Sequence, residues 1–275
     1  MLIHFAVINK CTGADVPQQM YLQNPKTDFH DACAQMMYKA KWDEAVTRHL
    51  RGEITEKEMK SILKELRKPA KNLNFGMVYG MGVPLLAEKL GEIDGNGKPT
   101  KRALEIMAEY HGAAPYIKEL NDLCVKEAEE KNFITTILKR RGRFPLWQER
   151  FKKKGHVYDK EADKPRSYEE AVAAWGARNI SVVGAHKALN KKLQGSAADL
   201  MKLAMVMCWE AGIFCEENDI TCNLTVHDEL NGSFVPSERG EKSRKEVKEI
   251  MENCMEISIP ILTAGSTGAN WSEAK

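Results

Sequence analysis

Apolar residues recur every three or four positions through most of the chain, which is the spacing of amphipathic helices. In residues 115–131, Leu120, Cys124 and Ala128 share one apolar face. Helices are predicted on such patterns at residues 28–50, 54–66, 68–80, 101–111, 115–131, 168–190 and 197–212. Pro69 is expected in the first turn of the third of these helices, where its missing N–H costs little.

Near the C-terminal end the pattern changes from helical spacing to alternation. In NLTVHDELNGSFV, residues 223–235, apolar and polar side chains alternate on both sides of His227-Asp228. Alternation of this kind indicates a β-hairpin whose tight turn carries the polar pair. Because a lone Asp at a turn is usually only a turn former, the hairpin by itself assigns Asp228 no chemistry.

Composition limits the number of domains but does not by itself indicate a function. The chain has 275 residues, 43% of them apolar, and a formal net charge of +2, which allows one or two packed domains. A nucleic-acid surface must therefore come from an uneven distribution of charge. The basic residues that would form it are Lys139, Arg140, Arg141, Arg143, Arg150, Lys152, Lys153 and Lys154, with Lys187, Lys191 and Lys192 as a second group. The seven cysteines show no CxxC pair, which favours reduced thiols over a zinc site.

One predicted helix carries a pattern suited to a ligand. Residues 67–80, RKPAKNLNFGMVYG, place Arg67, Lys71, Phe75 and Tyr79 at four-residue steps, so that they share one side. The stripe is about 18 Å long, the reach of a nucleoside triphosphate, with cations for phosphates at one end and rings for base and sugar at the other. The alternative is an ordinary amphipathic helix with its rings in the core and its cations in solvent.

The stripe helix, the hairpin string and LQGSAADLMKLAMV at 193–206 together resemble the polymerase domain of family A DNA polymerases, the bacterial DNA polymerase I and phage type. The motifs occur in the family's order. NPKTDFHDACA at 24–34 resembles the segment whose His reaches the incoming triphosphate, and FITTILKRRGRFPL at 133–146 resembles the Arg-rich stretch that binds duplex. The tail at 265–275 resembles the family's carboxyl terminus.

The resemblance implies an α+β fold, with a mostly helical fingers subdomain and part of an antiparallel palm sheet that is incomplete without an upstream palm strand. Residues 1–27 would form a palm-to-fingers segment, 28–130 the fingers, and 131–275 the palm with its DNA-binding elements. With no leader and no stretch long enough to cross a bilayer, the expected location is cytoplasmic, in a bacterial host if the protein is phage-encoded.

The resemblance also implies a role for each candidate residue in DNA-directed DNA synthesis from dNTPs on a primer–template. The implied nucleotide-binding residues are His30, Arg67, Lys71, Phe75 and Tyr79. The implied catalytic residues are Asp228, Glu229, His227 and Lys71, with Asp228 as the metal ligand. The implied DNA-binding residues are Arg140, Arg141, Arg143, His186, Asn190 and Gln194. His186 and Gly142 stand where the family more often has Arg, so weaker contacts are expected at both positions.

The resemblance begins just after a DYSQ-like palm motif that supplies the family's first metal-binding Asp. Asp15 and Asp28 are the nearest upstream carboxylates, but neither fits that position. Two Mg²⁺ ions about 3.5–4 Å apart need several carboxylate oxygens, and Asp228 alone is a poor cage. We therefore expect a split polymerase whose N-terminal polymerase fragment brings the first palm motif, with the isolated chain inactive or weakly active. The alternative is a truncated or intron-interrupted reading frame.

Two other function classes stay open at this point. A single-subunit RNA polymerase shares a Lys-to-Tyr-Gly helix and a His-Asp turn, but it usually shows HDS where this chain has HDE at 227–229, and it lacks the NFG of 74–76. A non-catalytic fragment that binds DNA or nucleotides would need no second carboxylate.

Overall fold

The computed structural model describes residues 1–78, 80–151 and 159–274, so Tyr79 and the basic residues at 152–154 lie outside the described residues. The helices are α1 (Leu2–Ile8), α2 (Asp15–Gln23), α3 (Phe29–Met37), α4 (Lys39–Leu50), α5 (Glu56–Val78), α6 (Val83–Leu90), α7 (Lys101–Ala113), α8 (Pro115–Lys131), α9 (Tyr168–Trp175), α10 (Ala188–Glu210) and α11 (Glu238–Asn253). The strands are β1 (Phe133–Thr135), β2 (Arg141–Arg143), β3 (Trp147–Glu149), β4 (Ile180–Val182), β5 (Ile220–Val226) and β6 (Glu229–Phe234). The fold is α+β, as predicted.

Two helix predictions are confirmed with the predicted bounds or close to them. Helix α8 has the predicted bounds, and α7 extends the predicted 101–111 helix by two residues. The predicted 28–50 helix is broken at Tyr38, which separates α3 from α4. The two predicted helices at 54–66 and 68–80 form one helix, α5.

Pro69 therefore lies inside a helix rather than in a first turn, and that prediction is wrong. An internal proline removes one backbone hydrogen bond and crowds the preceding turn. Tertiary packing compensates here, because Ala70 and Leu73, just beyond the proline, are completely buried. Helix α5 packs along both α3 and α4.

The predicted helix at 168–190 is also wrong beyond Trp175. Gly176 adopts a φ of 80°, which ends α9. Residues 180–182 then pair with β3 in antiparallel register, with Trp147 opposite Val182 and Glu149 opposite Ile180. A turn at Ala185–Lys187 leads into α10, which begins earlier than the predicted 197–212 helix.

The predicted hairpin is confirmed. Strands β5 and β6 pair antiparallel with Val226 opposite Glu229, so His227 and Asp228 form the turn. His227 has a φ of 52°, a left-handed conformation that tight hairpin turns require. Two further two-stranded antiparallel ladders, β1–β2 and β3–β4, complete the described sheets.

The main core surrounds α8. Helices α1, α5, α7 and α10 and the β1–β2 hairpin contact it. Its buried members include Phe5, Leu73, Leu86, Tyr110, Tyr116, Ile117, Leu120, Cys124, Ile134, Phe144 and Leu189. Because these residues come from both sides of the predicted boundary at 130/131, α8 joins the predicted fingers to the predicted palm through a shared core.

The C-terminal segment runs back to the first helix. His4 Nδ1 lies 3.0 Å from the Ser258 hydroxyl and accepts the Ser258 backbone N–H at 3.1 Å. Further along, the Trp271 indole N–H donates to the Asn231 side chain on β6 at 3.1 Å. All seven cysteines are free thiols. None of the described helices combines the length and apolarity needed to cross a bilayer.

Candidate nucleotide and nucleic-acid interface

Helices α3 and α5 bring together three of the predicted triphosphate ligands. Asp28 caps α3 by accepting the backbone N–H groups of His30 at 2.8 Å and Asp31 at 3.0 Å, which fixes His30 in the first turn. Arg67 reaches the same turn from α5. Lys71 lies one helical turn beyond Arg67, and its positive charge contributes to lowering the pKa of His30. Two cations of α5 and the His30 ring of α3 therefore lie close together, and their binding to a triphosphate stays a prediction.

Arg67 is held by two carboxylates. Its Nη2 lies 2.8 Å from Asp28 Oδ2 and its Nε lies 2.9 Å from Asp31 Oδ1. Partial burial favours protonated Asp28, but hydrogen bonds from Arg67 and two backbone N–H groups outweigh it, so the pKa of Asp28 is lowered. Burial and the neighbouring charge of Asp28 raise the pKa of Asp31. Arg67 is therefore oriented before any ligand arrives.

His30 ends a buried chain of hydrogen bonds. Its Nδ1 lies 3.1 Å from the Asn74 amide nitrogen on α5, and the Asn74 oxygen accepts the Tyr110 hydroxyl of α7 at 2.8 Å. Asn74 is 2% exposed and Tyr110 is completely buried. Partial burial is the main cause of a lowered pKa for His30, and the charges of Arg67 and Lys71 act in the same direction.

The other half of the stripe is less fully described. Phe75 lies in α5, but its side chain is outside the described residues, as is Tyr79. The nucleotide-binding roles of Phe75 and Tyr79 therefore stay predictions. Gly80, directly after the stripe, has a φ of 74°, and an added Cβ there would collide with the backbone carbonyl of His186. The end of the stripe helix thus abuts the turn that precedes α10.

The predicted DNA-binding arginines on the β1–β2 hairpin differ in their surroundings. Arg140 donates through Nε to the buried carboxylate of Asp199 at 2.8 Å and through Nη2 to the Gly195 carbonyl at 2.8 Å. Arg141 and Arg143 are exposed, and the Arg141 guanidinium lies 4.7 Å from the centre of the Phe133 ring. Arg140 thus fastens the hairpin to α10, whereas Arg141 and Arg143 are open to a ligand.

The second basic group is divided in the same way. Lys192 is 9% exposed, donates to the Thr135 carbonyl at 3.1 Å and lies 3.6 Å from Glu127, so its assignment to a DNA surface is wrong. Its apolar stem is buried and its ammonium group is held by two partly buried oxygen partners, so it belongs to the core instead. Lys191 is exposed and crosses Gly142, where any side chain would meet its stem.

His186 lies in the turn that precedes α10, and Asn190 and Gln194 lie in the first two turns of that helix. His186 and Gln194 are exposed and Asn190 is half-buried. Because Asn190 and Gln194 are four residues apart in a helix, they share one face. This placement agrees with a groove-facing row and leaves the DNA contacts themselves as predictions.

The hairpin turn presents its polar residues to solvent. His227, Asp228 and Glu229 are all exposed. The hairpin packs on α11, which leaves the turn itself projecting.

The whole arrangement matches a known family. The sequence fits the family described as DNA polymerase family A over residues 20–273. The chain belongs to DNA polymerase family A. Among its relatives, DNA polymerase I of Caldicellulosiruptor bescii is 29% identical over 225 residues, which are 81% of this chain and 22% of the relative. DNA polymerase I of Lactococcus lactis subsp. cremoris is 32% identical over 211 residues, which are 76% of this chain and 20% of the relative.

A solved structure shares the fold. The POL domain of Pol1 from M. smegmatis, determined in complex with DNA primer-template and dNTP, superposes with a TM-score of 0.66 at 22% identity. The superposition covers 99% of this chain and 38% of that one. The chain spans about a fifth of the length of the curated relatives it matches.

Asp228, the predicted metal ligand, stays a prediction. Hard divalent cations prefer several oxygen ligands. Within residues 1–78, 80–151 and 159–274, no three His, Cys, Asp or Glu side chains are grouped so that they could hold a metal ion. Asp228 and Glu229 are the carboxylates at the hairpin turn, and they do not by themselves fit two ions.

Sequence reasoning missed the residues that position the family A candidates. Asp31 and Tyr110 carried no signal, because their roles depend on which helices pack together. Asn74 lies in the NFG string that separated the family from RNA polymerases, and its contact with His30 requires the α3–α5 packing.

Proposed function

We propose that this chain is the C-terminal part of a DNA-directed DNA polymerase that adds dNTPs to the 3′ end of a primer. Residues 28–130 form the fingers and 131–275 the palm with its DNA-binding elements, preceded by the palm-to-fingers segment 1–27. The observation that carries the proposal is the meeting of His30 with Arg67 and Lys71 from a second helix. Family membership supports it independently.

Each side chain has a proposed task. Arg67, Lys71 and His30 bind the triphosphate and offset charge as the 3′ hydroxyl bonds to the α-phosphorus and pyrophosphate leaves. Phe75 packs on the sugar and Tyr79 stands at the templating position. The residues proposed to contact primer–template are Arg140, Arg141, Arg143, His186, Asn190 and Gln194. His227 and Glu229 flank the primer terminus.

Asp228 is proposed to bind Mg²⁺ together with a carboxylate from outside these 275 residues. Such ions would supply positive charge that stabilises the charge developing during phosphoryl transfer. The proposed source of the second carboxylate is an N-terminal polymerase fragment, either separate from this chain or joined to it. The incomplete ligand set around Asp228 in the described residues supports this proposal.

Nucleotide binding tests the carrying observation directly. Titration of the full chain with a fluorescent dNTP should show binding that Lys71→Ala and Arg67→Ala each weaken about tenfold. Lys60→Ala is the matched control, because Lys60 lies on the same helix but is paired with Glu56 at 2.6 Å, well before the cluster. Equal weakening in the control would refute the assignment.

Primer extension tests the two-part proposal. The chain plus a fragment carrying a DYSQ-like palm motif should extend a primer in magnesium, and Asp228→Asn should abolish extension. Extension by the chain alone that is lost on Asp228→Asn would overturn the need for a second carboxylate. Preference for rNTPs would favour an RNA polymerase, and DNA binding without extension in any mixture would favour a non-catalytic fragment.

Phe75→Tyr should raise dideoxynucleotide incorporation by the assembled enzyme. An unchanged ratio of dideoxynucleotide to deoxynucleotide incorporation would contradict the placement of Phe75.

A further inference from the structure

The buried chain from Tyr110 through Asn74 to His30 has a direction. An amide oxygen only accepts hydrogen bonds and an amide nitrogen only donates them. The Asn74 oxygen faces the Tyr110 hydroxyl at 2.8 Å, so the hydroxyl donates. The Asn74 nitrogen faces His30 Nδ1 at 3.1 Å, so Nδ1 must accept and therefore carries no proton.

We infer that Tyr110 and Asn74 are positioning residues that hold His30 as the neutral Nε2–H tautomer. A proton on Nδ1 would point at the amide N–H groups of Asn74, so this arrangement disfavours both the other tautomer and the imidazolium. The lowered pKa of His30 agrees with this arrangement, and partial burial is its main cause. The charged groups around the ring are Arg67 and Lys71 on α5 and Asp28 and Asp31 on α3.

In the proposed triphosphate site, the cations and His30 would then have different tasks, and this part of the inference rests on the proposed function. Arg67 and Lys71 supply fixed positive charge, while His30 supplies an oriented neutral donor at Nε2. A donor whose tautomer is fixed in advance loses no free energy in choosing it when a phosphate oxygen arrives.

A mirror arrangement of the same atoms makes the inference falsifiable. If the Asn74 amide were rotated by 180°, its oxygen would accept a hydrogen bond from His30 Nδ1–H and its nitrogen would donate a hydrogen bond to the Tyr110 hydroxyl oxygen. What favours the first arrangement is that Tyr110 is completely buried and Asn74 nearly so, leaving the Tyr110 hydroxyl with the Asn74 oxygen as its acceptor in the described contacts.

Nitrogen-15 NMR of the ring distinguishes the arrangements without any nucleotide. In the full chain the His30 signals, assigned by their loss in His30→Gln, should show a protonated Nε2 and an unprotonated Nδ1 at neutral pH. A protonated Nδ1 in the wild-type chain overturns the inference whether or not any variant folds.

Variants then separate positioning from mere packing. Asn74→Asp keeps the shape but replaces the donor with an acceptor, so His30 should switch to Nδ1–H or become protonated. Tyr110→Phe should give a mixture of tautomers and weaken dNTP binding roughly three- to tenfold. Tyr116→Phe is the comparison variant, because the Tyr116 hydroxyl is equally buried but reaches Asn74 only through the Cys33 thiol, so it should change the tautomer less than Tyr110→Phe does. A tautomer unchanged by Asn74→Asp would refute the role of Asn74.

The two levels of the argument fail in different ways. If His30 shows the Nε2–H tautomer and the chain binds no dNTP, the positioning relay stands and the proposed function fails. If dNTP binds but His30 carries its proton on Nδ1, the relay fails and the proposed function stands.

Discussion

Replacing Arg140 with alanine should destabilise the chain far more than the same change at Arg141, although both were predicted as DNA contacts. Arg140 Nε and Nη2 each lie 2.8 Å from Asp199 Oδ1. The Asp199 side chain is 5% exposed, and its other oxygen accepts the Leu138 N–H at 3.3 Å. Arg140→Ala would therefore leave a buried carboxylate with one backbone donor.

The magnitude follows from these contacts. A hydrogen bond to a charged group is worth about 1.5–3 kcal/mol, and a buried charge that loses its partner costs more. The Arg140 side chain is 50% exposed, so solvent screens part of the interaction. We expect a loss of about 2–3 kcal/mol in the free energy of unfolding. Arg141 stacks on Phe133 in solvent, so Arg141→Ala should cost less than about 1 kcal/mol.

Urea unfolding followed by circular dichroism measures the free energy of unfolding of both variants. The salt dependence of DNA binding is a second, independent measurement. Arg141→Ala should reduce the slope of log affinity against log salt by about one phosphate contact. In an Asp199→Asn background, Arg140→Ala should cost less by about 1–2 kcal/mol, because the pair is already broken. Equal costs for Arg140→Ala in the two backgrounds would refute the proposed coupling.

Three further predictions concern other parts of the fold. Gly80→Ala should cost about 1–3 kcal/mol more than Gly52→Ala in urea unfolding, because both have left-handed φ values of 74° and 73° but only an added methyl at Gly80 meets backbone; equal costs would refute this contact. Burial and the N-terminal amine lower the pKa of His4 below its ordinary 6.5, so the unfolded chain takes up this proton first. Stability should fall as pH drops below about 6.5, and His4→Gln should flatten that loss; an unchanged pH profile would contradict it. Asp31→Asn should tighten dNTP binding severalfold in a fluorescence titration by freeing Arg67, and weaker binding would show that Asp31 orients Arg67 rather than competes for it.

Sequence patterns predicted the parts of this chain that local spacing determines. The period of α8 and the alternation around His227 are properties of contiguous residues, so each was located from sequence alone. Pro69 and Trp175 show the opposite case. A helix continues through Pro69 because neighbouring helices bury the following turn. A helix stops after Trp175 because the next segment pairs with β3, which ends at Glu149, far upstream in the chain. Neither fact is encoded within a window of one helix.

The candidate site follows the same division. The four-residue steps from Arg67 to Lys71 were visible in the sequence, and the structure places both beside His30. The resemblance gave His30 a role, but no spacing rule linked it to Asn74, 44 residues further along the chain, or to Tyr110, another 36 residues beyond Asn74. Lys192 looked like a surface cation because charge runs give no information on which member turns inward.

The charges around His30 are balanced rather than simply positive. Arg67 and Lys71 stand against Asp28 and Asp31, and Arg67 is bound to both carboxylates. A triphosphate therefore cannot gain the full attraction of a free guanidinium, since it must replace or share partners that already satisfy Arg67. Such a site gains orientation at the expense of affinity. A polymerase benefits from that exchange, because it must release pyrophosphate after every addition and hold each new triphosphate in one geometry.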